Sequence, residues 1–175
     1  MTEPSTTPAV GNDRIRESLL RRAGLTQTQI DDALRAERET GQQLDQVLIG
    51  KNLLPEAKCL QFFADLLGIE FRPSLDGIGV PSAFIQHIPV QFARTHGLIA
   101  IEDKGAVIRV ATHRPLEVQP MDDLATLMGR EVEAVLATRG EVANLINRAY
   151  RHKADGVDEA LQDVKDTDIV SIAEN

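Results

Sequence analysis

The side chains that could do proton-transfer, metal-binding or nucleophilic chemistry are few and scattered: His87, His96, His113, His152, the single cysteine Cys59, Ser18, and the adjacent acids Asp122 and Asp123. The histidines lack ligand spacing, and one cysteine cannot complete a structural zinc site. Each histidine is therefore expected to be a surface or hydrogen-bonded residue. Cys59 falls in an apolar helical pattern, where a thiol is an inert core group, because reactive thiolates need accessible, cationic surroundings. Adjacent carboxylates could divide general acid and base work. Consecutive helical residues point about 100° apart, however, so Asp122 and Asp123 read as helix-start acids that complement the dipole. Ser18 has no histidine at helical spacing, and His113-Arg114-Pro115 reads as a strand-to-helix turn. Neither a GxxxxGK[ST] loop nor a dinucleotide fingerprint occurs. The chain by itself is thus expected to be no enzyme and to hold neither metal nor cofactor.

Arg14, Arg16, Arg21 and Arg22 form the one dense basic cluster in a chain of 19 Lys+Arg against 27 Asp+Glu, a formal charge of -8. With aromatics at only 3%, that balance excludes a nucleic-acid binder, which needs cationic surface and stacking rings. The cluster could instead complement an acidic protein surface. One cysteine excludes an internal disulfide and fits a reducing compartment. The opening MTEPSTTPAVGND has neither a basic start nor an apolar run, so residues 1–13 are expected to be a disordered lead and not a signal peptide. No run approaches the roughly 20 apolar residues that span a bilayer. The expectation is a soluble, cytoplasmic protein that meets a membrane only through a partner.

These candidates must be positioned by helices in the first half. Sliding the chain by 29 positions without gaps pairs Ile15 with Leu44, Leu19 with Leu48, Leu20 with Ile49, Leu25 with Leu54, Ile30 with Cys59, Ala33 with Phe62 and Leu34 with Phe63. The apolar pattern repeats although the spelling does not, and its spacing is that of an amphipathic helix pair. Thr26 with Gln29 spells a capping box, and Pro55 takes the corresponding place in the second copy. Gly41 and Gly68 are C-terminal stops. Residues 14–68 are expected to form a helical subdomain from a tandem helix-turn-helix repeat.

Residues 69–152 read as strand, helix, helix, strand, strand, helix, strand, helix. IEF gives the first strand, PSAFIQHIPVQFARTH two helices broken at Pro89, and GLIAIEDKGAVIRVAT two strands around Asp103-Lys104-Gly105. A helix at about Pro120–Met128 stopped by Gly129, the strand VEAVLAT, and a last helix with Val142, Leu145, Ile146 and Tyr150 on one face complete it. The fold class is α+β, the helical subdomain being followed by a small two-layer α/β sandwich. Residues 153–175 are an acidic linker or tail, in which seven acids oppose two lysines. Its last apolar residues, Ile169, Val170 and Ile172, suggest a segment that belongs to something further on.

The order Ile88-Pro89, Ala93 and His96, Ala111 and Pro115, Asp123-Leu124 with Gly129, Ala137-Thr138 and Tyr150, behind tandem helical units, resembles the N-terminal domain of the traffic ATPases of type II secretion and type IV pilus assembly. The resemblance spans roughly residues 14–151. It implies a non-catalytic domain that docks a downstream motor onto the cytoplasmic domain of an inner-membrane platform protein, with a hexamer formed through the downstream ATPase domain. Some members of that family instead bind cyclic di-GMP through tandem motifs beginning Arg-Leu-Gly. Here the copies begin Arg14-Ile15-Arg16 and Gln43-Leu44-Asp45. Arg14, Arg16 and Gln43 are what remains for such a ligand, the glycines are gone, and Asp45 sets a negative charge where a dianion would approach. Docking through Arg14, Arg16, Arg21 and Arg22 is therefore the expected function, and cyclic di-GMP regulation the alternative.

Overall fold

The computed structural model describes residues 9–154, with side-chain surroundings from Arg16 onward. The acidic stretch from residue 155 lies outside the described residues. Two compact units divide the chain, one ending at Phe63 and the other starting at Ala64.

The first unit is built from α1 (Ala9–Arg22), α2 (Gln27–Thr40), α3 (Leu44–Gly50) and most of α4 (Glu56–Leu67). Local chemistry sets the bounds of α2. The Thr26 hydroxyl accepts the Gln29 N–H at 3.3 Å, and the Gln29 side chain accepts the Thr26 N–H at 3.0 Å, which satisfies two otherwise orphaned donors reciprocally. At the other end Gly41, at φ +69°, donates its N–H to the Glu37 carbonyl at 2.9 Å, the left-handed stop that a Cβ would disfavour. Between the caps, Ile30, Ala33 and Leu34 are buried. A fully buried Leu or Ile contributes roughly 2 kcal/mol, several times the spread of ordinary helix propensities. The apolar stripe, more than intrinsic preference, holds these short helices.

Two boundaries differ from expectation. Helix α1 starts at Ala9 and takes in residues assigned above to a lead. Once an anchored helix is nucleated, each added residue gains a hydrogen bond, and Ala9 resists this least. The packing division also falls inside α4, not after Gly68, because the Ile69 N–H bonds back to the Ala64 carbonyl at 3.0 Å and ties the last turn of α4 to the chain that follows.

The second unit carries β1 (Glu70–Phe71), α5 (Ser82–His87), α6 (Val90–His96), β2 (Leu98–Asp103), β3 (Val107–Thr112), α7 (Gln119–Met128), β4 (Glu131–Leu136) and α8 (residues 139–154). This is the expected order of elements, and the class is α+β. The sheet order is β1-β4-β3-β2, with β2 antiparallel to β3 and the other pairs parallel. The β2–β3 turn works because Gly105, at φ +83°, donates its N–H to the Asp103 carboxylate at 2.8 Å. Pro89 separates α5 from α6 as predicted, since it cannot extend α5 and sits where α6 needs no donor. The core gathers Phe84, Ile88, Ile99, Ile108, Val110 and Leu124 with Val142, Leu145 and Ile146 of α8.

One charge is buried in this sheet. Arg109 on β3 is only 6% exposed. Its guanidinium donates to Glu133 on β4 at 3.1 Å, to Glu102 on β2 at 3.1 Å, and to Glu70 on β1. All four strands meet on that one planar fork, whose donors can serve several carboxylates at once. The Arg72 and Arg109 guanidiniums hold the Glu70 carboxyl below its usual range, and Arg109 is held protonated chiefly by Glu70.

Candidate functional site

The basic cluster on α1 is divided by its partners. Arg16 donates to both oxygens of Glu37 on α2, at 2.5 and 2.6 Å. Its charge is therefore matched inside the unit and joins α1 to α2. Arg21 bonds the side-chain oxygen of Gln27 at the start of α2, a neutral partner that leaves its charge available. Arg21 and Arg22 are exposed and line an open depression of about 400 Å³ with Glu17 and Ser18. Arg14 lies on α1, with its side chain outside the description. Gln43 is exposed at the N-terminal cap position of α3 and makes no capping hydrogen bond.

The backbone corrects the register of the repeat. Gly24 (φ +87°) and Asn52 (φ +54°) are the two left-handed residues that end the first helix of each copy. Gly24 bonds back to Arg21 and Asn52 to Ile49, Ala23 to Leu19 and Lys51 to Val47, Leu25 to Leu20 and Leu53 to Leu48. Up to this turn the copies match at an offset of 28. From Leu25 and Leu54 onward it is 29, as Ile30 bonding Thr26 and Cys59 bonding Pro55 attest. The second copy has one extra residue in its turn. Gln43-Leu44-Asp45 therefore corresponds to Ile15-Arg16-Glu17, and not to Arg14-Ile15-Arg16. Asp45 is also only 2% exposed, a helix-start acid in the first turn of α3 and not a charge facing an incoming ligand.

Cys59 is fully buried, and burial first, then the Asp45 and Glu56 charges, push its thiol up to about 12. His87 bonds the Ala83 carbonyl at 2.8 Å, His96 packs on the Phe92 ring at 4.6 Å, and His152 is exposed. Asp122 and Asp123 lie in the first turns of α7, with Asp123 accepting from Gln119 at 2.9 Å. Among the described residues no group of three or more His, Cys, Asp or Glu could hold a metal ion, and no helix is long and apolar enough to cross a membrane. His113, expected to be a surface or hydrogen-bonded residue, lies in a wall that the sequence did not announce. Its ring lies against Gly97, where a Cβ would fall 2.0 Å from Cε1, and it lines a cleft with Arg94, Arg139 and Asn147. Only the fold joins these residues, so no local motif could have announced them.

The β1-to-α8 stretch also decides the family. Residues 67–156, more than half of the chain, match the MshEN domain. The chain belongs to the MshEN domain family. A type IV pilus assembly ATPase, PilB, of Myxococcus xanthus is 24% identical over 153 residues, which cover 87% of this chain and 27% of that relative. This MshEN chain thus spans about a quarter of that curated relative. Among solved structures, MshE with cdg matches at a TM-score of 0.63 and 25% identity, covering 77% of this chain and 97% of that one. The N-terminal domain of XpsE matches at a TM-score of 0.63 and 22% identity, covering 85% of this chain and 98% of that one, a likeness of fold. The resemblance drawn from the motifs, to N-terminal domains of secretion and pilus ATPases, is borne out by these matches.

Proposed function

We propose that this MshEN chain is a protein-docking module, which binds the cytoplasmic domain of an inner-membrane platform protein and so brings a traffic ATPase to the membrane from the cytoplasmic side. The observation that carries the reading is the Arg16–Glu37 ion pair. It commits an arginine of the basic cluster to holding the helical unit together, while Arg21 and Arg22 stay exposed. Exposed guanidiniums on an otherwise acidic chain suit an acidic partner surface, where complementary charge raises the association rate and fixes orientation. The partner-facing residues in this reading are Arg21 and Arg22, with Arg14 seven positions before Arg21 in the sequence. Arg16 is withdrawn from that role.

The test is capture of the platform protein's cytoplasmic domain by the 175-residue chain, with Arg21→Glu and Arg22→Glu combined. Capture that is lost in the folded variant supports docking through this face. Capture that fails with the folded wild type counts against docking altogether.

The likeness to MshE with cdg favours cyclic di-GMP regulation as the second reading. It has little to work with here: Arg16 is engaged, Gln43 stands alone at the cap of α3, and the glycine positions carry Glu17 and buried Asp45 in the corrected register. Calorimetric titration with cyclic di-GMP separates the readings, since micromolar or tighter binding would overturn the preference for an adaptor.

A further inference from the structure

The second unit contains a cleft of about 280 Å³ lined by Arg94 of α6, His113 beyond β3, and Arg139, Ala143 and Asn147 of α8. Among the described residues that line it none is a carboxylate, although acids outnumber bases in the chain by 27 to 19. Arg94 donates to the Asn147 side-chain oxygen at 3.2 Å, so an amide holds the guanidinium in place without neutralising it. The nearby carboxylate of Glu117 is engaged elsewhere, by Arg114 at 3.0 and 3.1 Å. Arg114 in turn donates toward His113 Nε2 at 3.4 Å. The cleft also opens on the first turns of α8, whose dipole adds positive potential at that end.

We propose that this cleft binds the phosphate group of a small phosphorylated molecule. The Arg94 and Arg139 guanidiniums carry forked donors that fit phosphate oxygens, and the imidazole of His113 adds a further polar edge to the wall. The cleft lies just under the range of about 300–1,000 Å³ that encloses a whole drug-sized ligand. It therefore takes the phosphate group, with the remainder of the molecule projecting outward. Gly97 serves this arrangement, since its missing Cβ is what lets the His113 ring lie at the wall. The proposal is independent of the docking function, because it uses none of the α1 arginines.

The test is calorimetric and ³¹P NMR titration of the 175-residue chain with inorganic phosphate, AMP and succinate. Saturable binding of phosphate is expected, weakened at least about tenfold in Arg94→Gln with Arg139→Gln, because each lost charged hydrogen bond is worth an order of magnitude. Ala143→Asp, at an exposed position where an acid suits the first turns of a helix, should abolish binding while circular dichroism stays unchanged. AMP binding as tightly as phosphate or tighter supports a phosphate-group site, and the tighter case assigns the source to a nucleotide. The proposal is overturned if succinate binds as well as phosphate, if AMP is excluded, if both variants bind phosphate like the wild type, or if millimolar phosphate gives no saturation.

Discussion

The Tyr150 hydroxyl on α8 donates to the Ile88 carbonyl at 2.6 Å, at the joint where α5 ends and Pro89 begins the turn into α6. Pro89 has no N–H and Ile88 is the residue where α5 stops, so this carbonyl lies beyond the ladder of α5. Tyr150→Phe keeps the ring and removes the bond. The expected loss is about 1–2 kcal/mol, with the upper end applying if the carbonyl is left dry, measured as a shift in urea midpoint at constant slope.

The same phenol should titrate abnormally. Burial pushes it from 10.0 to about 12, and burial likewise pushes Cys59 from 9.0 to about 12. Both groups have folded values above their unfolded ones, so the stability they contribute is complete below about pH 9 and is lost as pH rises toward 12. Tyr150 is the chain's one tyrosine and there is no tryptophan, so near-ultraviolet absorbance reads it directly. Tyrosinate formation should be late and coincide with alkaline unfolding; a simple titration centred at 10 in the folded protein would contradict the burial.

Cys59 should resist iodoacetamide at neutral pH in the folded chain and react readily in denaturant, since the thiolate is the attacking species. Rapid labelling of the native protein would show that the helical unit opens around it.

Gly97→Ala meets two separable obstacles. A Cβ there lies 2.0 Å from the His113 ring, and φ is +59°. Moving a packed ring costs roughly 1–3 kcal/mol, and the left-handed backbone about another 1 kcal/mol. Adding His113→Ala should restore the steric part and leave the backbone part. Denaturation midpoints of the single and double variants give the two contributions.

Arg109→Met withdraws the guanidinium that Glu70, Glu102 and Glu133 share. Losing one partner of a buried pair costs 3–5 kcal/mol, but these carboxylates are nearly half exposed, so screening reduces the expected loss to about 2 kcal/mol at pH 7. Glu70 has a depressed folded value. Its stabilisation in the wild type is present above the unfolded value of 4.5 and is lost as pH falls through the depressed one. The gap between wild type and variant should therefore narrow on acidification, which paired urea curves at neutral and acid pH would reveal.

What could be read in advance was written locally. Thr26 with Gln29, Gly41, Pro89 and Gly129 each act within a turn of their own positions, so spelling sufficed. Arg109 could not be anticipated as a buried charge, because its acids stand 7, 24 and 39 residues away and only strand pairing gathers them. The repeat register slipped for a different reason. Its marker is backbone conformation, shared by Gly24 and Asn52, and asparagine adopts the left-handed region without advertising it as glycine does. The partners of the arginines lay equally out of reach: the i to i+21 reach from Arg16 to Glu37 requires knowing how α1 lies on α2.

The strand order also sets an order in time. Strand β1 is two residues long and pairs only with β4, Glu70 meeting Val135 and Phe71 meeting Leu136. As the chain leaves the ribosome, Glu70 and Phe71 must wait until the whole of α5 through α7 has been made before their partner exists. The β2–β3 hairpin closes over a short loop and can form at once. The first strand synthesised thus cannot pair before the last has been made, so Glu70 reaches its place beside β4 only once Glu133, the carboxylate that β4 brings to Arg109, is also there.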